Sequence, residues 1–452
     1  MTENMSDFPY LPHTERDIDE MMNYLNIKDI NELYQDVPQL FNKDLNLPSS
    51  LSELEVKEKL FDLSDFNKNI QEFGIFRGAG VYNHYIPTVV YSIASNRNFL
   101  TAYTPYQAEV SQGTLQILFE YQTLICELTG MEVANSSMYD GASALAEAIL
   151  MAKRINGRNK VLISDLIHPE YYEVTKTYIE AQDMELIEII HNHQTAQIDI
   201  QDLKNKISKE VSCVVVSYPN FFGVIEDLQE IRENVPEDII LIVSTYPISL
   251  GLLESPGCFG VDIVVGEGQS LGNLPSFGGP GLGFFASKEK YIRKMPGRII
   301  GETVDKDGKR GFVMVLQTRE QHIRRERSTS NICSNQAHNA LLASIYLNVM
   351  GEKGLKEVAL QCYHKAHYLA NKLLETDKFE MVYQGPFFNE FVMKSKIDPV
   401  YMNKKLIEQR YFGPLPLKKF FPQKGDQILF SVTELNKKRD IDFLCSFLEG
   451  LS

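Results

Sequence analysis

Apolar residues recur at helical spacing in Ile18-Asp-Glu-Met-Met-Asn-Tyr-Leu25 and again from Leu51 to Leu60. That spacing predicts two short amphipathic helices. Pro9, Pro12, Pro38 and Pro48 punctuate the rest of this stretch, and proline breaks a helix by removing an amide donor. Residues 1–70 therefore read as a helical arm that packs on something larger.

From about Gly74 the texture changes, with glycine and aromatic residues clustered in Phe76–Tyr85. A long helix is predicted from Ser111 to Leu128, closed by Gly130, and an Ala-rich helix over Ala142–Arg154. Strands and helices then alternate. Strands are expected at Val161–Ser164, Ser212–Ser217, Ile239–Ser244, Asp262–Val265 and Gly281–Ala286, with helices at His168–Gln182 and Leu228–Asn234. Short apolar strands separated by helices indicate a mostly parallel sheet covered on both faces. After about Val304 the pattern shifts. Residues 316–373 read as helical, followed by strands at Phe391–Lys394 and Gln427–Val432 with a helix at each side. The expected organisation is an arm (1–70), a large α/β domain (71–305) and a small C-terminal α+β domain (306–452).

Composition narrows the class. The chain has 452 residues, 44% hydrophobic and 23% charged, ordinary for a soluble globular protein. No apolar run reaches transmembrane length. Residues 1–7 have neither a basic nor an apolar segment of the kind that directs export, so a cytoplasmic location is expected. A net charge of −15 repels phosphate backbones and anionic lipid, which argues against nucleic-acid and membrane partners. The six cysteines are widely spaced with no C-x-x-C pair, as in a reducing compartment.

Several motifs carry candidate chemistry. Gly266-Glu-Gly-Gln-Ser-Leu-Gly272 has the wrong spacing and place for a dinucleotide fingerprint. Gly278-Gly-Pro-Gly-Leu-Gly283 lacks the Lys-Ser/Thr of a phosphate loop and reads as a tight turn. Asp140-Gly141-Ala142-Ser143 opens a helix with small residues; it could face an anion or be a plain cap. His191-Asn-His193 has no third metal ligand nearby and reads as a solvated loop; no metal site is expected. Arg319–Arg327 has opposite charges at helical spacing and reads as a salt-bridged surface helix or a partner contact. Tyr82–Pro87 and Tyr103–Gln107 are aromatic loops suited to pocket walls or interfaces, though packing alone could explain them.

Read together, Phe76–Pro87, Tyr103–Gly113, Tyr218–Asp227, Gly278–Gly281, Met295–Arg298, Gly308–Glu326, Thr329–Gln336, Pro386–Phe391 and Ser431–Glu434 resemble the P-protein of the glycine cleavage system over nearly the whole chain. That family occurs as one long chain with two related halves or as two separate subunits, and this chain is similar to the N-terminal half. The resemblance implies the α/β fold of fold-type I pyridoxal-phosphate enzymes, aspartate aminotransferase-like, with a large domain and a smaller C-terminal domain. It also implies glycine decarboxylation with release of CO2 and passage of the aminomethyl group to the lipoyl arm of H-protein.

The same resemblance implies that this half does not hold the cofactor. A lysine must form the internal aldimine. Aligned with the lysine-bearing half, its position falls at Ser270, and residues 266–280 contain no lysine. Lys288 and Lys290 lie beyond the next strand. The carboxylate expected to meet the pyridine nitrogen is replaced by Tyr246. The implied arrangement places pyridoxal phosphate in a lysine-bearing subunit 2, paired with this chain as alpha2-beta2. Its active site would be completed by loops of this chain carrying Tyr82, His84, Tyr103, Tyr106 and Gln107, with Thr329, Ser330 and Asn331 as further candidates. A self-sufficient pyridoxal-phosphate decarboxylase and a purely scaffolding subunit are the competing readings.

Overall fold

The computed structural model describes Tyr10, residues 13–36 and residues 46–451. Pro9, Pro12, Pro38 and the first seven residues lie outside the described residues. Met1–Asn67 forms one compact unit and Lys68–Ser452 another. In the first, helix α1 (Glu15–Leu25) and helix α2 (Glu53–Ser64) each start at a reciprocal capping box, Thr14 with Asp17 and Ser52 with Glu55. Each box satisfies amides that the first turn leaves unpaired.

The second unit is built on a seven-stranded sheet. Its strands are β1 (Val133–Ala134), β2 (Lys160–Ser164), β3 (Glu185–Ile189), β4 (Val211–Tyr218), β5 (Ile240–Thr245), β6 (Ile263–Glu267) and β7 (Gly283–Ser287), in the spatial order β1-β7-β6-β5-β4-β2-β3. The run from β3 to β6 is parallel, whereas β7 and β1 are antiparallel. Every residue of β4 and β5 is buried, as expected of strands covered on both faces. Their side chains alternate between two cores. Val214, Val216, Leu241 and Val243 meet Leu115, Leu118 and Ile125 of helix α3 (Gln112–Thr129). Cys213, Val215, Ile240 and Ile242 meet Leu145, Ala148, Ile149 and Ala152 of helix α4 (Gly141–Asn156). The small residues of α4 let it lie close to the sheet.

The chain then forms helix α5 (Ala337–Leu374), which breaks its helical conformation at Gly351 (φ 57°). Its first part packs into the core beside α3, and its last turns pack into a separate core under a four-stranded sheet. That sheet comprises β8 (Phe379–Met381), β9 (Glu390–Ser395), β10 (Leu415–Pro416) and β11 (Gln427–Ser431), ordered β8-β9-β11-β10 and antiparallel throughout.

Three local readings change. The predicted helix over 316–373 begins only at Ala337. Leu316 and Arg325 take left-handed φ values (56° and 53°), and Arg319 turns inward to carbonyls of Met295, Gly297 and Leu316. The expected salt-bridged helix over Arg319–Arg327 is thereby reduced to short turns. Strand β3 went unforeseen because its outer faces carry Glu185 and Glu188 on a partly exposed edge. His191 is buried, not solvated, and its Nδ1 lies 2.8 Å from Asp165.

Beneath the same region Glu226 is buried. Its oxygens accept the Ile198 amide at 2.9 Å and the Asn220 side-chain amide at 2.8 Å. Burial pushes its carboxyl up to about 7, against the pull of those two bonds. A raised acid contributes stability that is present below its unfolded value and lost as pH rises through the folded one. Glu226→Gln removes the titration. Between pH 5.5 and 8, urea denaturation should show wild type losing about 2 kcal/mol relative to this variant. Curves that stay parallel across that range would contradict the assignment.

Candidate active-site pocket

The carboxyl ends of β4, β5 and β6 open into a cleft, the usual ligand position in a parallel α/β sheet. It is a cavity of about 70 Å3, open to solvent on one side and lined by Ser217, Thr245, Tyr246, Glu267, Gln269 and Ser270, among others. Tyr82, His168, Tyr171 and Glu390 close it from other segments. Ser270 stands three residues beyond β6. It is 2% exposed and its hydroxyl has no hydrogen-bond partner. Tyr246 directly follows β5, and its ring lies 4.3 Å from that of Tyr82.

Tyr82 and His84 both turn inward. The Tyr82 hydroxyl donates to Glu390 Oε2 at 2.7 Å, and the Ala79 amide donates to Oε1 at 2.7 Å. Burial pushes the Glu390 carboxyl up to about 7. His84 Nε2 bonds the Tyr246 hydroxyl, and its Nδ1 lies 2.7 Å from Glu434. Burial works to raise the Glu434 carboxyl, but His84 and the Tyr85 amide hold it below its ordinary value. Cys362 Sγ lies 3.6 Å from the same carboxylate. His84, Cys362 and Glu434 thus form a cluster with metal-ligand chemistry. Both ring nitrogens and the carboxylate are already engaged in hydrogen bonds, so the cluster reads as a buried network that ties the 82–85 segment to the C-terminal part of the chain.

The third feature is the start of α4. Asp140 caps it, its Oδ1 accepting the Ser143 amide at 2.7 Å. Glu267, the last residue of β6, reaches the same turn. Its Oε2 accepts the Gly141 amide at 3.0 Å, and its Oε1 accepts the amides of Gln269 (2.9 Å) and Leu282 (2.7 Å). Burial raises its carboxyl, opposed by the Leu282 and Gly141 amides. Gln269 in turn accepts the Tyr82 amide at 3.1 Å. A Cβ on Gly281 would lie 2.9 Å from Glu267 Oε2, and one on Gly141 would lie 3.0 Å from Glu267 Cβ. Glycine at both places lets the backbone close around this carboxyl.

These residues do not fit pyridoxal phosphate. Among the described residues, no lysine or arginine lines the cleft. Lys288 sits at the opposite end of the strands, bonded to Gly260 and Asp262 before β6. A tyrosine hydroxyl stands where a carboxylate is expected, and carboxyls already hold two of the helix-start amides, those of Gly141 and Ser143.

The remaining candidates lie elsewhere. Arg298, 4% exposed, donates to Thr104 Oγ1 (3.2 Å), the Tyr106 hydroxyl (3.2 Å) and the Cys333 carbonyl (2.6 Å). With Arg319, Glu320, Thr329 and Ser330 it lines a second, smaller cleft. Tyr106 is not among its lining residues; half exposed, it lies outside the cleft against Arg298, with its ring 5.6 Å from that of His322. Tyr103, Gln107 and Asn331 are exposed and line neither cleft. The structure therefore separates the candidates into an inner group (Tyr82, His84, Tyr246, Ser270) and an outer one (Tyr106, Thr329, Ser330). Sequence reasoning missed Glu267, Gln269, Glu390, Glu434 and Arg298. Glu267 had one signal, an acid between two glycines directly after a buried strand.

The family described as "Glycine cleavage system P-protein" matches residues 9–448. A Thermotoga maritima protein called "Probable glycine dehydrogenase (decarboxylating) subunit 1" is 50% identical, covering 97% of this chain and 99% of its own. A protein of the same name from Desulforamulus reducens is 47% identical, covering 98% of this chain and 100% of its own. The crystal structure of glycine decarboxylase (P-protein) of the glycine cleavage system, in inhibitor-bound form, superposes with a TM-score of 0.90 at 41% identity, over 98% of this chain and 99% of that one. A C-DES mutant with glycine covalently linked to its PLP cofactor matches with a TM-score of 0.62 at 14% identity, over 85% and 100%, a likeness of fold alone. The fold is that of the fold-type I pyridoxal-phosphate enzymes, and the chain belongs to the glycine cleavage system P-protein family.

Proposed function

We propose that this chain is the cofactor-free subunit of a two-subunit glycine dehydrogenase (decarboxylating). In this reading a separate subunit 2 holds pyridoxal phosphate on its own lysine. Together the two decarboxylate glycine, release CO2 and pass the aminomethyl group to the lipoyl arm of H-protein, as an alpha2-beta2 assembly in the cytoplasm. The observation that supports the reading is Ser270: at the position the family resemblance assigns to the aldimine lysine, this chain carries a buried, unpartnered hydroxyl. The six free cysteines agree with a reducing compartment, and among the described residues no helix is long and apolar enough to cross a membrane.

The outer cluster is the part of this chain best placed to serve a partner's site. Glycine offers little beyond its amine and carboxylate, so a site for it must be tight and dry. Arg298 is pre-set by its hydrogen bonds and Tyr106 presents an aromatic face beside it. Tyr82 and His84 are committed to their own chain's interior, and in this reading they act through folding.

Two outcomes are expected. Borohydride reduction of the purified chain, followed by peptide mass analysis, should yield no pyridoxyl-lysine; a stoichiometric adduct on any lysine would favour the self-sufficient decarboxylase. In the assembled complex, Tyr106→Phe should lower turnover about tenfold or more with the melting temperature unchanged. His84→Asn should instead lower the melting temperature while turnover per folded complex holds, because it removes two buried hydrogen bonds, a loss of roughly 1–3 kcal/mol each. Full turnover in Tyr106→Phe would leave this chain as a scaffold.

A further inference from the structure

The absence of a lysine is only part of why this pocket differs from a cofactor site. A helix N-terminus presents amides and a positive dipole end that suit a phosphate. In this chain two of the amides at the start of α4 are taken by the protein's own carboxyls, Gly141 by Glu267 and Ser143 by Asp140. The Glu267 carboxyl is not a loose surface group. It takes three amides from three segments, at the start of α4, in the turn after β6 and before β7. A side chain at Gly281 would press on this carboxyl, and one at Gly141 would press on the Tyr171 hydroxyl and then on Glu267 Cβ. Asp140, Glu170 and Glu267 around this opening are all acidic, so an arriving phosphate ester would meet like charge and would find the Gly141 and Ser143 amides occupied.

We propose that Glu267 is a built-in surrogate for a phosphate group. Its carboxyl fills the anion position at the start of α4, and the pocket refuses phosphate esters even when an amine is supplied at residue 270. The inference rests on the reading of this chain as the cofactor-free subunit and adds a second, separable barrier to it. The pocket is closed by substitution within the chain: the Gly141, Ser143, Gln269 and Leu282 amides around the anion position each have a carboxyl acceptor.

The test places the lysine first and then removes the barrier. Ser270→Lys and the double variant Ser270→Lys/Glu267→Ala are assembled with the catalytic subunit and incubated with the same concentration of pyridoxal phosphate. They are then reduced with borohydride, and the peptide containing residue 270 is quantified by mass spectrometry, which separates it from the partner's lysine. The expected result is little adduct at residue 270 in the single variant and at least about tenfold more in the double one. Ser270→Lys/Glu267→Ser carries the same comparison, vacating the anion position while keeping a short polar side chain, should the alanine variant fail to fold. Equal adduct in single and double variants, or none in either while both are folded, would overturn the proposal. An adduct on a lysine of the unmodified chain would instead overturn the cofactor-free reading, and that arm is scored separately.

Discussion

One carboxyl organises the interior of this protein. Glu267 ends the strand Ile263–Glu267 and accepts amides from Gly141, Gln269 and Leu282. Those bonds fix the turn that carries Ser270, hold the start of the helix Gly141–Asn156 against the sheet, and set the approach of the strand Gly283–Ser287. Through Gln269 they reach the Tyr82 amide, and through the Tyr82 hydroxyl they reach Glu390 on the small sheet. Each amide would cost roughly 1–3 kcal/mol if left buried and unpaired. The pocket's shape is thus a consequence of satisfying backbone donors.

Much of the large sheet was legible in the sequence because it is written in short-range periodicity. Val214-Val215-Val216 and Leu241-Ile-Val243 are continuous apolar runs, and both became strands buried on two faces. Gly130 and the Asp140 cap likewise mark helix ends by local chemistry. Glu185–Ile189 was not legible, since an edge strand keeps polar residues outward. The segment 319–327 misled because helical charge spacing says nothing of Arg319 reaching back to carbonyls near Gly297. The site divides the same way. Ser270 and Tyr246 stand out only against the needs of a lysine-bearing relative. Glu267, Glu390 and Glu434 could not be found from spacing, because their partners lie far away in the chain and only folding brings them together.

The two clefts have different chemistry. The inner one is acidic and aromatic, with Tyr82 and Tyr246 in contact and a carboxyl against the helix start. The outer one is organised by Arg298 and Arg319, with Tyr106 exposed beside them. A pair of related subunits in which one keeps its own pocket closed and lends a structured outer face to the other needs one cofactor per pair, while retaining the interface geometry of the fold. In such a pair, loss of the cofactor lysine and retention of a stable pocket are compatible because the protein replaces the ligand's contacts.

The most direct measurement is glycine–bicarbonate exchange with lipoylated H-protein, using this chain alone, the lysine-bearing subunit alone, and the two combined. The account predicts exchange only in the combination, at a rate that saturates when this chain is added in equal proportion. Exchange by this chain alone, or an undiminished rate from the lysine-bearing subunit without it, would contradict the account.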